Sequence, residues 1–285
     1  MYAAKEAHTG VEAYRAASSA GARDRLAVVA DLRRAIGAGE IVVHFQPQAD
    51  LATGRITGVE ALVRWRHPER GLLYPESFIP IAEHTGLMRP LTSHVLQVTL
   101  RQWRDQGLEL AVAVNLSTRN LLDLSLPDEV ARRLAEHDLP ASALELEITE
   151  TTIMADPVRA KAVLHRLADL GVRLAIDDFG TGYTSLAWLR DLPVTTLKID
   201  KSFVMSMGER EQDAVIVRSS VQLGRNLGLH VVAEGMEGED AWRALVALGC
   251  DQAQGYFLSR PQAAEPLTGW LRGYRPAAPL PAAAA

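Results

Sequence analysis

Eight times along this chain a run of four to seven β-branched or aliphatic residues gives way to a longer stretch, and most of these runs carry or end on a polar side chain. Runs of that kind bounded by turn residues read as strands, and the stretches between them as amphipathic helices. The strands are predicted at Ile41 to Gln46, Thr57 to Val63, Ala111 to Leu116, Leu144 to Ile148, Val172 to Ile176, Thr195 to Ile199, His230 to Ala233 and, more weakly, Cys250 to Ala253. Helices are predicted over Arg23 to Ile36, Pro75 to Glu83, Leu91 to Gln106, Asp128 to His137, Pro157 to Leu170, Gln212 to Leu227 and Asp240 to Leu248. Strands alternating with helices pair in parallel through right-handed crossovers, and eight such units in 285 residues favour a closed α/β (β/α)8 barrel of the TIM type. One connection differs. Only PQADLATGRI separates the first two strands, which is too short for a crossover helix, so the first strand is expected to run antiparallel to the second.

Composition narrows the setting. With 48% hydrophobic and 23% charged residues the chain can bury a full core and is unlike a disordered one. Thirty basic against 35 acidic side chains leave a net charge of −5, which argues against a grip on long nucleic acids. The one cysteine, Cys250, has no intrachain partner and no zinc-type cluster around it, so a reducing cytoplasm is expected, with a membrane-anchored parent protein compatible. No apolar run approaches the roughly 20 residues of a membrane span. Residues 1–22 read as a linker after a short Ala-rich helical start, 23–275 as the barrel, and 276–285 as a disordered Pro/Ala tail.

In a (β/α)8 barrel the chemistry sits at the carboxyl ends of the strands. Glu60, Asn115, Glu147, Asp177, Asp178, Lys198, Glu234 and Gln254 all fall in or just after predicted strands. A single acid there more often caps the next helix, but five carboxylates at one mouth repel one another unless a cation offsets them. Oxygen ligands without Cys or His suit hard ions such as Mg²⁺ or Mn²⁺, and a pair of ions beside a lysine suits phosphate-ester hydrolysis. Arg64, in ALVRWRHPER, has the fork geometry to hold a phosphate. The eight scattered histidines are given no catalytic role, and the five tryptophans are read as packing residues.

From Glu60 the sequence reads EALVRWRHPERG, and this resembles the EAL family of cyclic di-GMP phosphodiesterases. FQP from Phe45, FIPIAEHTGL from Phe78, NLS from Asn115, ELEITE from Glu145, DDFGTGYTSL from Asp177, LKIDKSFV from Leu197, AEGME from Ala233 and QGYFLSRP from Gln254 follow in the family's order, so the likeness covers about residues 23 to 275. The resemblance implies hydrolysis of cyclic di-GMP to linear 5'-pGpG with Mg²⁺ or Mn²⁺, expected as two ions, on a barrel with an antiparallel first strand. It implies Glu60, Asn115, Glu147, Asp177, Asp178 and Glu234 as metal ligands. It also implies Lys198, Asp178 and Glu234 as catalytic groups, leaving open whether a separate base or a hydroxide bridging two metals attacks. Gln46, Arg64, Glu237 and Gln254 match substrate-contacting positions. Glu150 matches a glutamate that tethers the loop after the paired aspartates, a loop associated in the family with homodimer contacts through the following helix. Phe45, Thr184 and Met236 depart from common family residues without touching a ligand position. Met1 to Lys5 is similar to the last helix of GGDEF diguanylate cyclase domains, which often precede EAL domains in bacterial signalling proteins. Many family members have lost metal ligands and survive as nucleotide receptors; this chain lacks that signature, and a non-hydrolytic cyclic di-GMP receptor or regulatory domain stands as the alternative reading. Replacing Glu60 by Ala is expected to lower turnover by orders of magnitude with little change in folding, because its neighbours already repel it.

Overall fold

The barrel closes because its first strand pairs on both sides. In chain order the strands are β1 (Ile41–Asp50), β2 (Ile56–His67), β3 (Gly71–Leu73), β4 (Ala111–Asn115), β5 (Leu144–Thr149), β6 (Arg173–Phe179), β7 (Thr196–Ile199), β8 (His230–Ala233) and β9 (Gln252–Gln254). Their order is β1-β9-β8-β7-β6-β5-β4-β2-β3, and a further β1–β2 pairing completes the ring. β1 runs antiparallel to both β2 and β9, whereas the remaining barrel pairs are parallel. β3 is a short antiparallel flap on the outer end of β2. The expected eight-stranded barrel with an antiparallel first strand is therefore present. The structure, a computed structural model, describes residues 28–107, 110–182 and 186–276. The expected linker at 1–22, the start of the Arg23 to Ile36 helix and the tail from 277 onward lie outside the described residues.

Several boundaries differ from expectation for identifiable reasons. β1 does not stop at Gln46 but runs to Asp50, so PQAD belongs to the strand. The hairpin turn is set by Asp50, whose Oδ1 accepts from Thr53 N at 2.7 Å and Thr53 Oγ1 at 2.6 Å, with Gly54 at φ 68° completing it. The expected helix Pro75 to Glu83 is split at the buried Phe78 into a 3-10 turn, Pro75–Ser77, and a helix, Ile79–Thr85. β3 and the helices Thr118–Leu121, Lys201–Ser206 and Ala264–Gly273 were not expected. Segments this short take their conformation from tertiary contacts rather than from their own propensity.

Helices pack on the outside of the strands. Glu211–Asn226 buries Val217 and Val221, and Pro157–Asp169 buries Val163, Leu164 and Leu167. Phe45, which points out of β1, meets Trp103 of the helix Met88–Gln106 at a centroid distance of 5.6 Å, and Trp65 meets Phe78 edge-on at 5.8 Å. Both indole nitrogens find acceptors, Trp103 on Leu110 O at 2.8 Å and Trp65 on Glu40 Oε2 at 3.1 Å, as buried tryptophans require. Among the described residues no helix is long and apolar enough to cross a membrane.

Candidate active site

Lys198 points into the barrel from β7 and is fully buried among carboxylates. Its Nζ lies 2.7 Å from Glu147 Oε1, 2.7 Å from Glu234 Oε1, 3.3 Å from Asp177 Oδ1 and 3.7 Å from Glu60 Oε2. These are close ion contacts rather than well-directed hydrogen bonds, since neither Nζ nor either Glu147 oxygen has a hydrogen-bond partner of good geometry. Burial alone would lower the lysine's pKa, but the surrounding carboxylates, Asp177 foremost, hold it well above its usual value. One positive charge cannot offset every acid here. Burial, followed by repulsion from Glu60, pushes Glu147 well above the ordinary carboxylate range. Glu234 rises to about 8, through burial and then the repulsion of Asp177 and Glu60, against the opposing pull of Lys198. Asp178 rises to about 6, from burial and then the charges of Asp177 and Asp200.

Glu60 behaves differently. Burial would raise it, yet Lys198 and hydrogen bonds from Gln254 and Asn115 leave its pKa lowered. Asn115 Nδ2 donates to Glu60 Oε1 at 2.7 Å, and Gln254 Nε2 donates to Glu60 Oε2 at 2.6 Å. The expectation that Glu60 is held against repulsion alone is thus corrected: its environment favours the carboxylate. Gln46, opposite Glu60 across β1 and β2, accepts from Gln254 Nε2 at 3.1 Å and donates to Ser259 O at 3.1 Å.

Adjacent residues of a strand normally face opposite ways, so Asp177 and Asp178 need a local device to share a rim. Asp178 has a left-handed backbone, φ 53°, and the β6–β7 register shifts between Ile176 and Phe179. Carboxylate oxygens of Asp177, Asp178 and Glu234 consequently lie within 4.8 Å of one another. This trio, with the unpartnered Glu147 oxygens beside Lys198, fits a hard divalent cation by donor chemistry and spacing. Glu60 and Glu147 contact Lys198 as Asp177 and Glu234 do but lie outside the trio, and Asn115 is tied to the cluster by its hydrogen bond to Glu60.

Above this floor lies a cavity of about 600 Å³, in the range of small-ligand sites, walled by Gln46, Glu60, Arg64, Asp177, Glu234, Glu237 and Gln254 among others. Arg64 stands four residues beyond Glu60 on β2 and so faces the same side; it is 5% exposed, and its Nη1 donates to Val63 O at 2.8 Å. Glu150 opens a short helix after β5, away from the cavity floor, and its Oε1 accepts from Gly180 N at 3.3 Å. Gly182 approaches so closely that a Cβ there would come within 2.5 Å of Glu150 Oε2. The loop's continuation at 183–185 lies outside the described residues.

Sequence reasoning passed over other residues of the site. Asp200 caps the helix Lys201–Ser206 through Ser202 N at 3.0 Å and also faces Asp178. Its signal was present, since an Asp just before a helix start is an N-cap pattern. Tyr74 and Tyr256 each stack with a guanidinium on the cavity wall, Arg64 at 5.0 Å and Arg260 at 4.2 Å. Nothing local marks a lone tyrosine in a loop for that task.

Fold and site together define an α/β barrel with an acidic cluster at its mouth and a buried arginine on the wall of the cavity above it. The EAL domain model matches residues 29–261, and the chain belongs to that family. A cyclic di-GMP phosphodiesterase of Pseudomonas aeruginosa is 42% identical over 249 residues, covering 86% of this chain and 42% of the relative. The bifunctional diguanylate cyclase/cyclic di-GMP phosphodiesterase MucR of the same species is 42% identical over 272 residues, covering 94% of this chain and 40% of its own length. This chain thus spans less than half of those relatives. Among solved structures, the PaMucR phosphodiesterase in complex with c-di-GMP superposes with a TM-score of 0.81 at 43% identity, covering 84% of this chain and 99% of that one. The EAL enzyme Bd1971 in its cGMP-bound form gives 0.84 at 29% identity, covering 89% and 71%.

Proposed function

We propose that this chain hydrolyses one phosphodiester of cyclic di-GMP to give linear 5'-pGpG, lowering the second messenger. The observation that carries the reading is Lys198 buried among four carboxylates at the floor of a cavity of about 600 Å³ whose wall holds a buried arginine. Family membership and relatives bearing that activity in their names support it.

Asp177, Asp178 and Glu234, with Glu60, Asn115 and Glu147 adjoining, are the residues that would hold Mg²⁺ or Mn²⁺, as one ion or two. When bound, such ions offset phosphate charge and lower the pKa of water. The protein's own groups do the rest. Arg64 and Gln46 bind and orient the substrate, with Glu237 and Gln254 lining the same wall. Lys198, fixed by its carboxylates, holds a positive charge beside the attacked phosphorus and positions the water. Glu234, on the cavity wall, accepts a proton from that water at its carboxylate. Asp178 supports the same step from the rim. Glu150 holds the loop after Asp178 in place. The chain is further inferred to work in the cytoplasm as a homodimer through that loop and the helix Leu186–Asp191.

Chromatography of nucleotide products with Mn²⁺ or Mg²⁺, with EDTA and with Glu60→Ala tests the reading. pGpG is expected only in the native, metal-supplied reaction. Tight binding of cyclic di-GMP that stays intact over hours with metal would overturn hydrolysis and make the domain a receptor.

A further inference from the structure

Gln48 is a buried polar side chain of the barrel interior with no part in the reading above. It follows Gln46 by two residues on β1 and so faces the same side, and it is 5% exposed. Its Nε2 donates to Gln254 Oε1 at 2.9 Å, across the antiparallel β1–β9 pair in which the two residues are register partners. Gln254 turns its own nitrogen to Glu60 Oε2 at 2.6 Å and to Gln46 Oε1 at 3.1 Å.

The logic of this chain is one of donors and acceptors. A glutamine amide has nearly the same shape in both senses, so only its partners decide which end faces where. The Glu60 carboxylate accepts and cannot donate, so Gln254 must present nitrogen to it. Its oxygen then faces residue 48, and only a donor there is compatible. Gly58, the register partner of Gln48 on β2, leaves the space: a Cβ at Gly58 would stand 3.2 Å from Gln48 Oε1 and 3.3 Å from Ala111 O.

We propose that Gln48 is a positioning residue that anchors the oxygen end of the Gln254 amide, whose sense Glu60 sets, and so holds the orientation of the Glu60 carboxylate beside the cation site. It touches neither substrate nor cation. The inference rests on the proposed function for its effect on turnover, but its effect on cation binding stands apart from that reading.

Three substitutions separate donor chemistry from shape: Gln48→Met keeps the length without a donor, Gln48→Lys supplies a donor without an acceptor, and Gln48→Glu supplies an acceptor. Gly58→Ala crowds Gln48 from β2 and provides an independent perturbation should a variant at 48 fail to fold. For each, Mn²⁺ affinity is measured from the free-ion electron paramagnetic resonance signal, kcat and KM for cyclic di-GMP from product formation, and folding from the thermal midpoint. Gln48→Met is expected to lose about tenfold in Mn²⁺ affinity and about 10- to 100-fold in kcat, the usual scale for groups that orient metal ligands, with KM unchanged. Gln48→Lys should stay close to the native protein, Gln48→Glu should lose at least as much as Gln48→Met, and Gly58→Ala should move in the same direction. Native Mn²⁺ affinity in Gln48→Met, or an equal loss in Gln48→Lys, overturns the proposal. If the native protein binds Mn²⁺ but leaves the nucleotide intact, the hydrolase reading fails while the affinity series still decides the role of Gln48.

Discussion

Lys198 is where the acidic mouth is made tolerable without a bound ion, and its removal should show how strongly. Gln254 and Asn115 hold Glu60 in the same cluster by donating to its two oxygens. Lys198→Met leaves four neighbouring acids without their internal counter-charge. Breaking a buried ion cluster from one side costs about 3–5 kcal/mol, so chemical denaturation of the metal-free variant should reveal a loss of that order, partly recovered by Mn²⁺. For Glu60→Ala the structure changes the expectation formed from sequence. Besides losing turnover, the variant removes a charged acceptor from the buried Gln254 amide, which keeps Gln46 Oε1 at 3.1 Å, and from the exposed Asn115, a loss of roughly 1–3 kcal/mol in the same denaturation assay. Glu234 sets a pH dependence. An ordinary glutamate titrates at 4.5 and this one at about 8 in the metal-free fold, so between those values the folded state keeps a proton that the unfolded chain has released. Stability of the EDTA-treated protein should therefore fall as pH rises through that window, and Mn²⁺ should flatten the slope by holding the carboxylate ionised. A thermal midpoint in EDTA that rises with pH over this interval would contradict it. The acids and the lysine were legible residue by residue, because each interrupts an apolar run. Asp200 carried its N-cap signal, but its approach to Asp178 did not show, and Tyr74 and Tyr256 were hidden because loop conformation, which no periodicity marks, sets each ring against an arginine ten or four residues away.

At the scale of elements, the end of β6 and the loop after β9 do what no single side chain can. The left-handed turn at Asp178 brings two adjacent carboxylates to one rim. After β9, Gly255 packs against the backbone of the β8 loop, where Met236 N donates to Gln254 O and Phe257 N to Met236 O, each at 3.1 Å. A Cβ on Gly255 would lie 2.0 Å from Met236 O and 2.4 Å from Met236 N, backbone atoms that cannot swing aside as a side chain can. Gly255→Ala should cost about 1–3 kcal/mol by overpacking, seen as a lowered thermal midpoint, and should raise KM because Gln254 and Glu237 ride on the displaced segments. A variant with native stability and KM would show that the loops can separate freely. The longer helices were readable within a few residues from apolar spacing, as Glu211–Asn226 and Glu239–Leu248 illustrate. The extension of β1 to Asp50 was hidden because Pro47, Gln48 and Asp50 carry turn-like or polar side chains, although their backbones pair with β2 and β9.

For the whole molecule, the barrel gathers side chains from β1, β2, β5, β6, β7 and β9 and the end of β8 into one mouth, so cation binding at that mouth is coupled to the closed ring. A cation that binds only the folded state stabilises it by mass action, about 2.7 kcal/mol at a hundredfold excess over Kd. For a domain of this size that corresponds to a rise of roughly 5–10 °C in thermal midpoint, measurable by scanning with Mn²⁺ against EDTA. No shift, in a protein shown to be folded, would argue that the acidic mouth is served by Lys198 alone. The sequence by itself determined the alternation of strands and helices, the antiparallel first strand and the identity of the acids and lysine. Periodicity and a short connection are local properties, carried by neighbouring residues whatever the rest of the chain does. Tertiary structure alone decided that Lys198 meets four carboxylates at once, that Glu60 is favoured as an anion while Glu147 and Glu234 are not, and that Gln48 faces Gln254. Charge and hydrogen-bond energies depend on distance and burial across strands that sequence separates by up to about two hundred residues, and those distances exist only once the ring has closed.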